Sequence, residues 1–148
     1  MANKDWKTFM VPYEQAVEEL KVKLRGIRTE KKRKNEYSPI EFITGRVKEI
    51  SSMLEKANKF EIPHDRLALE LEDIAGIRIM CQFEDDISAV VQLLRRRSDM
   101  QILYEKDYIT NVKPSGYRSY HMIIEYPVNM AEKVYKIIDY NERHIHET

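Results

Sequence analysis

The sequence contains a single cysteine, carries no net charge and has no long apolar run. A lone Cys81 excludes an internal disulfide and a cysteine-rich metal site, and its apolar neighbours indicate a buried thiol. Basic and acidic residues balance at 25 each, so any phosphate site must be a local cluster of cations. No stretch approaches the ~18 apolar residues of a membrane span, and the N-terminus lacks the apolar core of a signal peptide. We therefore expect one soluble, cytoplasmic domain from these 148 residues.

Apolar spacing predicts helices in the first half of the chain. Steps of three and four residues predict a helix over residues 5–30, with a break or restart at Pro12. The segment Ser38–Glu41 has the residue types and spacing of a capping box, which predicts a second helix over residues 38–60. A short third helix is expected over residues 63–71.

Apolar and β-branched runs predict strands in the second half. The expected elements are a central strand over 74–83, a helix over 84–97, strands over 102–109 and 117–126, and a last strand over 134–140. Residues 141–148 are polar and are expected to fray. This order predicts an α+β fold in which a mixed β-sheet is flanked by helices.

The segment Lys113–His121 combines a turn with the start of a strand. Pro114, Ser115 and Gly116 favour the turn, which leads to an aromatic ring, hydroxyls, an imidazole and nearby cations. Such a cluster suits a nucleotide, because a ring can stack on a base while cations hold phosphate. The alternative is an ordinary strand whose tyrosine and arginine lie at a sheet edge.

A carboxylate and a guanidinium flank the start of the central strand. Asp73 comes just before it, and Arg78 interrupts its apolar run, where a charge must be paired or must face a cleft. Asp73 is a candidate ligand for Mg²⁺, and Arg78 a candidate contact for a base or phosphate. The alternative is a salt bridge between the two.

Two groups of basic residues are further candidates for phosphate contacts. On the predicted second helix, Arg46 and Lys56 fall along one flank and are expected to converge on one ligand, with Lys59 nearby. The alternative there is a solvated face. The basic link Lys31–Lys34 is a candidate contact for single-stranded RNA or phosphate, or else an ordinary charged loop.

Several of these segments together resemble the synthetase domain of RelA/SpoT enzymes. The resemblance is carried by Asp73–Ile79, Asp107–Ile109 and Lys113–His121, in that order and spacing. The segments Phe42–Lys48 and Val11–Tyr13 are similar to those of the short, single-domain small alarmone synthetases. The resemblance covers about residues 5–128 and implies a nucleotidyltransferase-like fold.

The resemblance also implies an activity, a cofactor and roles for individual residues. Such an enzyme is a GTP pyrophosphokinase, which transfers pyrophosphate from ATP to the 3′-hydroxyl of GDP or GTP, giving guanosine tetra- and pentaphosphate. By this analogy Asp73 binds Mg²⁺, and Asp73 and His121 serve catalysis. The implied ATP-binding residues are Arg46, Lys48, Lys56, Lys59, Arg78 and Ser115. The implied GDP/GTP-binding residues are Lys106, Lys113, Tyr117 and His121.

The chain departs from the family pattern after residue 128. The family continues into a strand carrying Glu-x-Gln-x-Arg-Thr, whose Glu is the second acidic residue of the site. Here the corresponding segment contains Asp139 without that pattern. We therefore divide the chain into an incomplete synthetase domain, 1–128, and a divergent tail, 129–148. Without the missing strand we expect an exposed sheet edge and weak or no activity.

Three functions remain open on the sequence. The first is an active GTP pyrophosphokinase. The second is a catalytically dead relic that still binds nucleotide. The third is an interaction protein that joins an intact synthetase subunit or binds RNA. The family resemblance also leads us to expect that the chain can self-associate into a homo-oligomer.

Overall fold

The fold is a five-stranded mixed β-sheet with helices packed against it. The computed structural model describes residues 5–71, 73–111, 114–115, 118–130 and 133–145, with backbone alone from residue 129 onward. In chain order the elements are α1 (Trp6–Arg33), β1 (Phe42–Val47), α2 (Ile50–Lys59), a 3₁₀ turn (His64–Arg66), α3 (Leu67–Glu70), β2 (Ala75–Cys81), α4 (Glu84–Arg95), β3 (Gln101–Asp107), β4 (Ser119–Met130) and β5 (Lys133–Ile145). The predicted α+β class with a mixed sheet is confirmed.

Helix α1 covers one face of the sheet and is longer than predicted. The Asp5 carboxylate caps it, accepting hydrogen bonds from the backbone N–H groups of Lys7 and Thr8 at 3.1 and 3.2 Å. Its buried stripe includes Met10, Tyr13, Val17, Leu20 and Leu24. The break predicted at Pro12 is wrong, because the helix continues through that residue, which is buried. Contacts along the stripe outweigh the local cost of a proline in a helix interior.

The first strand replaces the start of the second predicted helix. The Ser38 hydroxyl donates to the Ile40 carbonyl at 2.9 Å and accepts from the Ile40 N–H at 3.2 Å, so the apparent capping box closes a local turn. The Glu41 N–H donates to the carbonyl of Met80 at 2.9 Å and starts the pairing of β1 with β2. Residues 42–47 include three β-branched side chains and pair antiparallel with β2 along their whole length. The predicted helix over 38–60 is therefore wrong in its first half.

The sheet order is β1-β2-β5-β4-β3, which puts the last strand in its interior. β5 runs parallel to β2 and antiparallel to β4. The predictions of a missing strand and an exposed edge are therefore wrong, as is the fraying expected from residue 141. The strand reaches Ile145, and residues 146–148 lie outside the described residues. The edges of the sheet are β1 and β3.

Gly45 sets how closely α1 approaches the sheet. A Cβ atom at this position would lie 2.6 Å from Cγ1 of Val17 and 3.1 Å from Cδ1 of Ile77. Only a glycine allows the helix and the strand to come this near without displacing buried side chains.

Among the helices of the described chain, none is long and apolar enough to cross a membrane.

Candidate nucleotide-binding site

Asp73 is held by two lysines at the start of β2. Lys48 follows β1 and Lys56 lies in α2, and their ammonium groups donate to the same oxygen, Oδ2, at 2.9 and 2.8 Å. Burial raises the pKa of Asp73, but the hydrogen bonds from Lys56 and Lys48 outweigh it, so the pKa stays below its ordinary value. The other oxygen, Oδ1, is buried and has no hydrogen-bond partner among the described residues. The carboxylate is thus ionised, with one oxygen still able to accept a ligand.

The structure corrects the predicted grouping of the basic residues. The expected flank of Arg46 and Lys56 on one helix is wrong, because Arg46 is in β1, in register with Gly76. Lys48, and not Arg46, joins Lys56 on Asp73. This follows from the Lys48 N–H, which donates to the Ile74 carbonyl at 2.7 Å and so holds residue 48 beside the start of β2.

Two other sequence-based interpretations concern Arg78 and Lys59. The alternative interpretation was a salt bridge between Asp73 and Arg78. Within the described chain, Asp73 instead pairs with Lys48 and Lys56. Lys59 lies at the end of α2 with its ammonium 5.6 Å from the centre of the Phe60 ring. The structure therefore does not bring Lys59 to the carboxylate.

A single row of residues in register crosses all five strands. It consists of Thr44 in β1, Arg78 in β2, Glu142 in β5, His121 in β4 and Lys106 in β3. Residues in register share a face of a sheet, so Arg78, His121 and Lys106 are on one side. Arg78 and Lys106 are exposed, and His121 is partly so. We call the side that carries Arg46, Arg78, His121 and Lys106 the cationic face.

The imidazole of His121 is oriented by its neighbours. Its Nε2 lies 2.9 Å from the hydroxyl of Ser119, which is fully buried. The Tyr108 ring meets the imidazole edge to face, with the ring centres 5.2 Å apart. The Tyr108 N–H donates to the Ser119 carbonyl at 2.9 Å, which ties the loop after β3 to β4. His121 is therefore a positioned polar group on the cationic face.

Only part of the predicted turn before β4 can be assessed. Ser115 is exposed in that turn, with Pro114 beside it. Lys113, Gly116 and Tyr117 lie outside the described residues. The predicted roles of Lys113 and Tyr117 therefore stay predictions.

The register of β5 reveals a signal that the sequence analysis missed. Asp139, Asn141 and Arg143 occupy alternate positions, so an acid, an amide and a guanidinium are spaced as in Glu-x-Gln-x-Arg-Thr. The backbone of Asp139 is in register with Ala75, two residues beyond Asp73. Comparing residue classes instead of identities would have found this similarity.

The fold defines the class of this protein as an α+β domain, with one cationic face on a mixed sheet and an ionised carboxylate at the start of an inner strand. The family described as "Region found in RelA / SpoT proteins" matches residues 45–144. The chain belongs to this RelA/SpoT family. The match extends past residue 128, after which we expected the sequence to diverge. The predicted division into domains at residue 128 stays a prediction.

Two relatives from Bacillus subtilis (strain 168) support this assignment. GTP pyrophosphokinase YjbM is 53% identical over 128 residues, which is 86% of this chain and 60% of the relative. GTP pyrophosphokinase YwaC is 39% identical over 132 residues, 88% of this chain and 63% of the relative. The chain thus spans about three fifths of the length of these relatives.

Solved structures agree with the fold. A GTP pyrophosphokinase family protein from Streptococcus pneumoniae superposes with a TM-score of 0.92 at 47% identity, over 97% of this chain and 71% of that one. Small alarmone synthetase 1 from Bacillus subtilis, bound to its product pppGpp, gives a TM-score of 0.89 at 47% identity, over 97% and 74% of the two chains.

Proposed function

We propose that this chain is a GTP pyrophosphokinase acting in the cytoplasm. It would bind ATP and a guanosine di- or triphosphate and transfer pyrophosphate from ATP to the 3′-hydroxyl of the acceptor. The observation that carries the proposal is the row that aligns Arg78 with His121 and Lys106 on the cationic face. The names of the relatives support the same reaction class.

In this proposal ATP binds at the β1–β2 side of the site. The planar guanidinium of Arg78 stacks on adenine, and Arg46, Lys48 and Lys56 contact the phosphates. The ATP-binding roles predicted for Ser115 and Lys59 stay predictions; Ser115 is exposed in its turn, and Lys59 lies against Phe60.

The acceptor nucleotide binds at the β3–β4 side. Neighbouring strands are about 4.8 Å apart, so His121 lies about 10 Å from Arg78 along the row. That separation leaves room for two nucleotides side by side, with their reacting groups between them. Lys106 and Lys113 contact the acceptor's phosphates, Tyr117 stacks on guanine, and His121 lies beside the 3′-hydroxyl. Such transfer needs alignment and charge neutralisation more than covalent chemistry by the protein.

The residues at Asp73 fit a magnesium ion. Its Oδ1 is a buried carboxylate oxygen without a hydrogen-bond partner in the described chain, and hard oxygen ligands are what Mg²⁺ prefers. The described residues contain no group of three or more metal-binding side chains, so phosphate and water oxygens would complete the coordination. A Mg²⁺ ion held by Asp73 would supply charge neutralisation at the transferred group. Lys48 and Lys56 then stay beside the phosphates and hold them in line.

We further propose that Glu142 supplies the second carboxylate. Its register with Arg78 and His121 places it on the cationic face. Asp139 is three residues earlier in β5, about 10 Å away, in register with Ala75 and therefore on the opposite face. Asp139→Asn therefore serves as the matched variant for Glu142→Gln.

The test is product formation by the full chain from labelled ATP and GDP, resolved by thin-layer chromatography. We expect labelled guanosine tetraphosphate from the wild type. Removing the second carboxylate with Glu142→Gln should lower the rate by about 10²–10⁴, and Asp139→Asn should lower it less. If no product formed at high protein concentration, the proposed pyrophosphokinase activity of this chain would be excluded.

A second candidate is a nucleotide-binding protein without turnover. The observation that favours it is the departure of Asp139–Arg143 from the Glu-x-Gln-x-Arg-Thr pattern. Binding of a non-hydrolysable ATP analogue without product would identify this function. Self-association and RNA binding by Lys31–Lys34 are tested by mass photometry and by a salt-dependent RNA shift.

A further inference from the structure

Two ammonium groups share one carboxylate oxygen at the start of β2. Lys48 and Lys56 come from different elements, yet both donate to Oδ2 of Asp73 at 2.9 and 2.8 Å. The side chains of Lys48, Lys56 and Asp73 are 18%, 36% and 28% exposed, so water screens these charges only in part. The cluster carries one net positive charge.

This arrangement disfavours a divalent cation arriving alone. A cation binding Asp73 would meet two like charges within a few ångströms, and little solvent to screen them. It would also have to displace both lysines from Asp73 and leave them beside it. Oδ1, which has no hydrogen-bond partner in the part of the chain that the structure describes, offers a ligand oxygen, but the two ammonium groups oppose its use.

A polyphosphate changes this balance. Its negative oxygens are alternative partners for both ammonium groups, and the long flexible lysine side chains can move to them. The carboxylate, freed from the lysines, then attracts a divalent cation, which the same phosphates also bind.

We propose that Lys48 and Lys56 occupy the place of the divalent cation at Asp73 in the free protein, and that they move to the phosphates when a nucleotide binds. The cation therefore enters this site only together with a polyphosphate. The movement of the two lysines to the phosphates rests on the proposed nucleotide-binding function. The exclusion of the free cation rests on the three side chains alone.

The first test uses Mn²⁺ as the probe and follows the loss of its free electron paramagnetic resonance signal. The full-length wild type should bind Mn²⁺ weakly when no nucleotide is present. The double variant Lys48→Met, Lys56→Met should bind it at least about tenfold more tightly, because two repelling charges are gone. Adding Asp73→Asn to the double variant should abolish the gain.

A matched control comes from α1. Lys7→Met removes an exposed lysine to which no role in the site is assigned, so it should leave Mn²⁺ binding unchanged. The glutamine versions of the double variant repeat the measurement with polar side chains, and circular dichroism checks that each variant is folded.

The second test adds a non-hydrolysable ATP analogue with Mn²⁺. The wild type should then retain Mn²⁺ in a ternary complex, and Asp73→Asn should retain at least about tenfold less.

The proposal is overturned if the wild type alone binds Mn²⁺ as tightly as the double variant, or if the double variant shows no gain that depends on Asp73. Neither measurement requires turnover. A chain that makes no guanosine tetraphosphate but gives the expected Mn²⁺ results would refute the proposed enzyme and leave this inference standing.

Discussion

The ammonium group of Lys23 in α1 lies 2.6 Å from the phenol oxygen of Tyr126 in β4. The same ammonium is 2.9 Å from Asp99, and the Tyr126 hydroxyl donates to Glu19 of α1 at 2.7 Å. Tyr126 is 2% exposed, whereas Lys23 and Asp99 are part-exposed, so this part-buried network joins α1 to the sheet. The network is on the face covered by α1, opposite to the cationic face.

The first prediction is that Tyr126→Phe destabilises the fold without affecting the site. The variant removes the hydroxyl that links Lys23 and Glu19, which should lower the free energy of unfolding by about 1–3 kcal/mol. Urea unfolding followed by circular dichroism measures the change. Affinity for an ATP analogue should stay the same, and an unchanged unfolding midpoint would contradict the role given to this network.

The second prediction concerns pH and the carboxylate of Asp99. Hydrogen bonds from Arg97 and then Lys23 outweigh burial and hold the pKa of Asp99 well below its ordinary value. A carboxyl with a lowered pKa stabilises the fold above the unfolded-state pKa of about 3.9, and this stabilisation is lost as pH falls further.

The measurement for Asp99 is the difference in unfolding free energy between the wild type and Asp99→Asn. The wild type should be the more stable at pH 7, and the difference should shrink as pH falls below about 4. A difference that stays constant over that range would show that the pKa of Asp99 is not lowered by folding.

The third prediction compares two glycines. A methyl group at Gly45 would meet buried Val17 at 2.6 Å, so Gly45→Ala should cost about 1–3 kcal/mol of stability through overpacking. Gly26 is exposed in α1, and nothing lies within 4 Å of its Cβ position. Gly26→Ala should therefore stabilise the protein by about 0.5–1 kcal/mol through helix propensity. Thermal unfolding of both variants tests the opposite signs.

Much of the fold could be predicted because its signals are local. The three- and four-residue spacing of apolar side chains gives α1, and near-continuous apolar runs give β2 and β4. The segment Ser38–Glu41 misled because its residue types fit a helix start, whereas pairing of residues 42–47 with β2 decides the structure. The interior place of β5 also depends on long-range pairing, which no local pattern encodes.

In the candidate site, too, some features follow from local sequence signals and others depend on long-range pairing. Asp73, Arg78 and His121 are recognisable from their positions at strand starts and in strands. The joining of Lys48 with Lys56 depends on how the chain leaves β1, with the Lys48 N–H bonded to the Ile74 carbonyl. The alignment of Arg78 with His121 depends on a strand inserted between theirs. Neither the joining of the two lysines nor the alignment of Arg78 with His121 can be predicted from the spacing of residues in the sequence.

The last prediction concerns adenine stacking on Arg78. Removing the guanidinium with Arg78→Ala should weaken binding of a non-hydrolysable ATP analogue by about tenfold, the size of a desolvated cation–π contact. Arg78→Lys keeps the charge but loses the planar surface, so it should recover only part of the affinity. Arg25→Ala, an exposed arginine in α1, is the matched control and should bind as the wild type does. Isothermal titration calorimetry measures all four proteins. If Arg78→Ala bound the analogue as tightly as the Arg25→Ala control, adenine would not lie on this side chain, and the ATP site would have to be placed elsewhere on the cationic face.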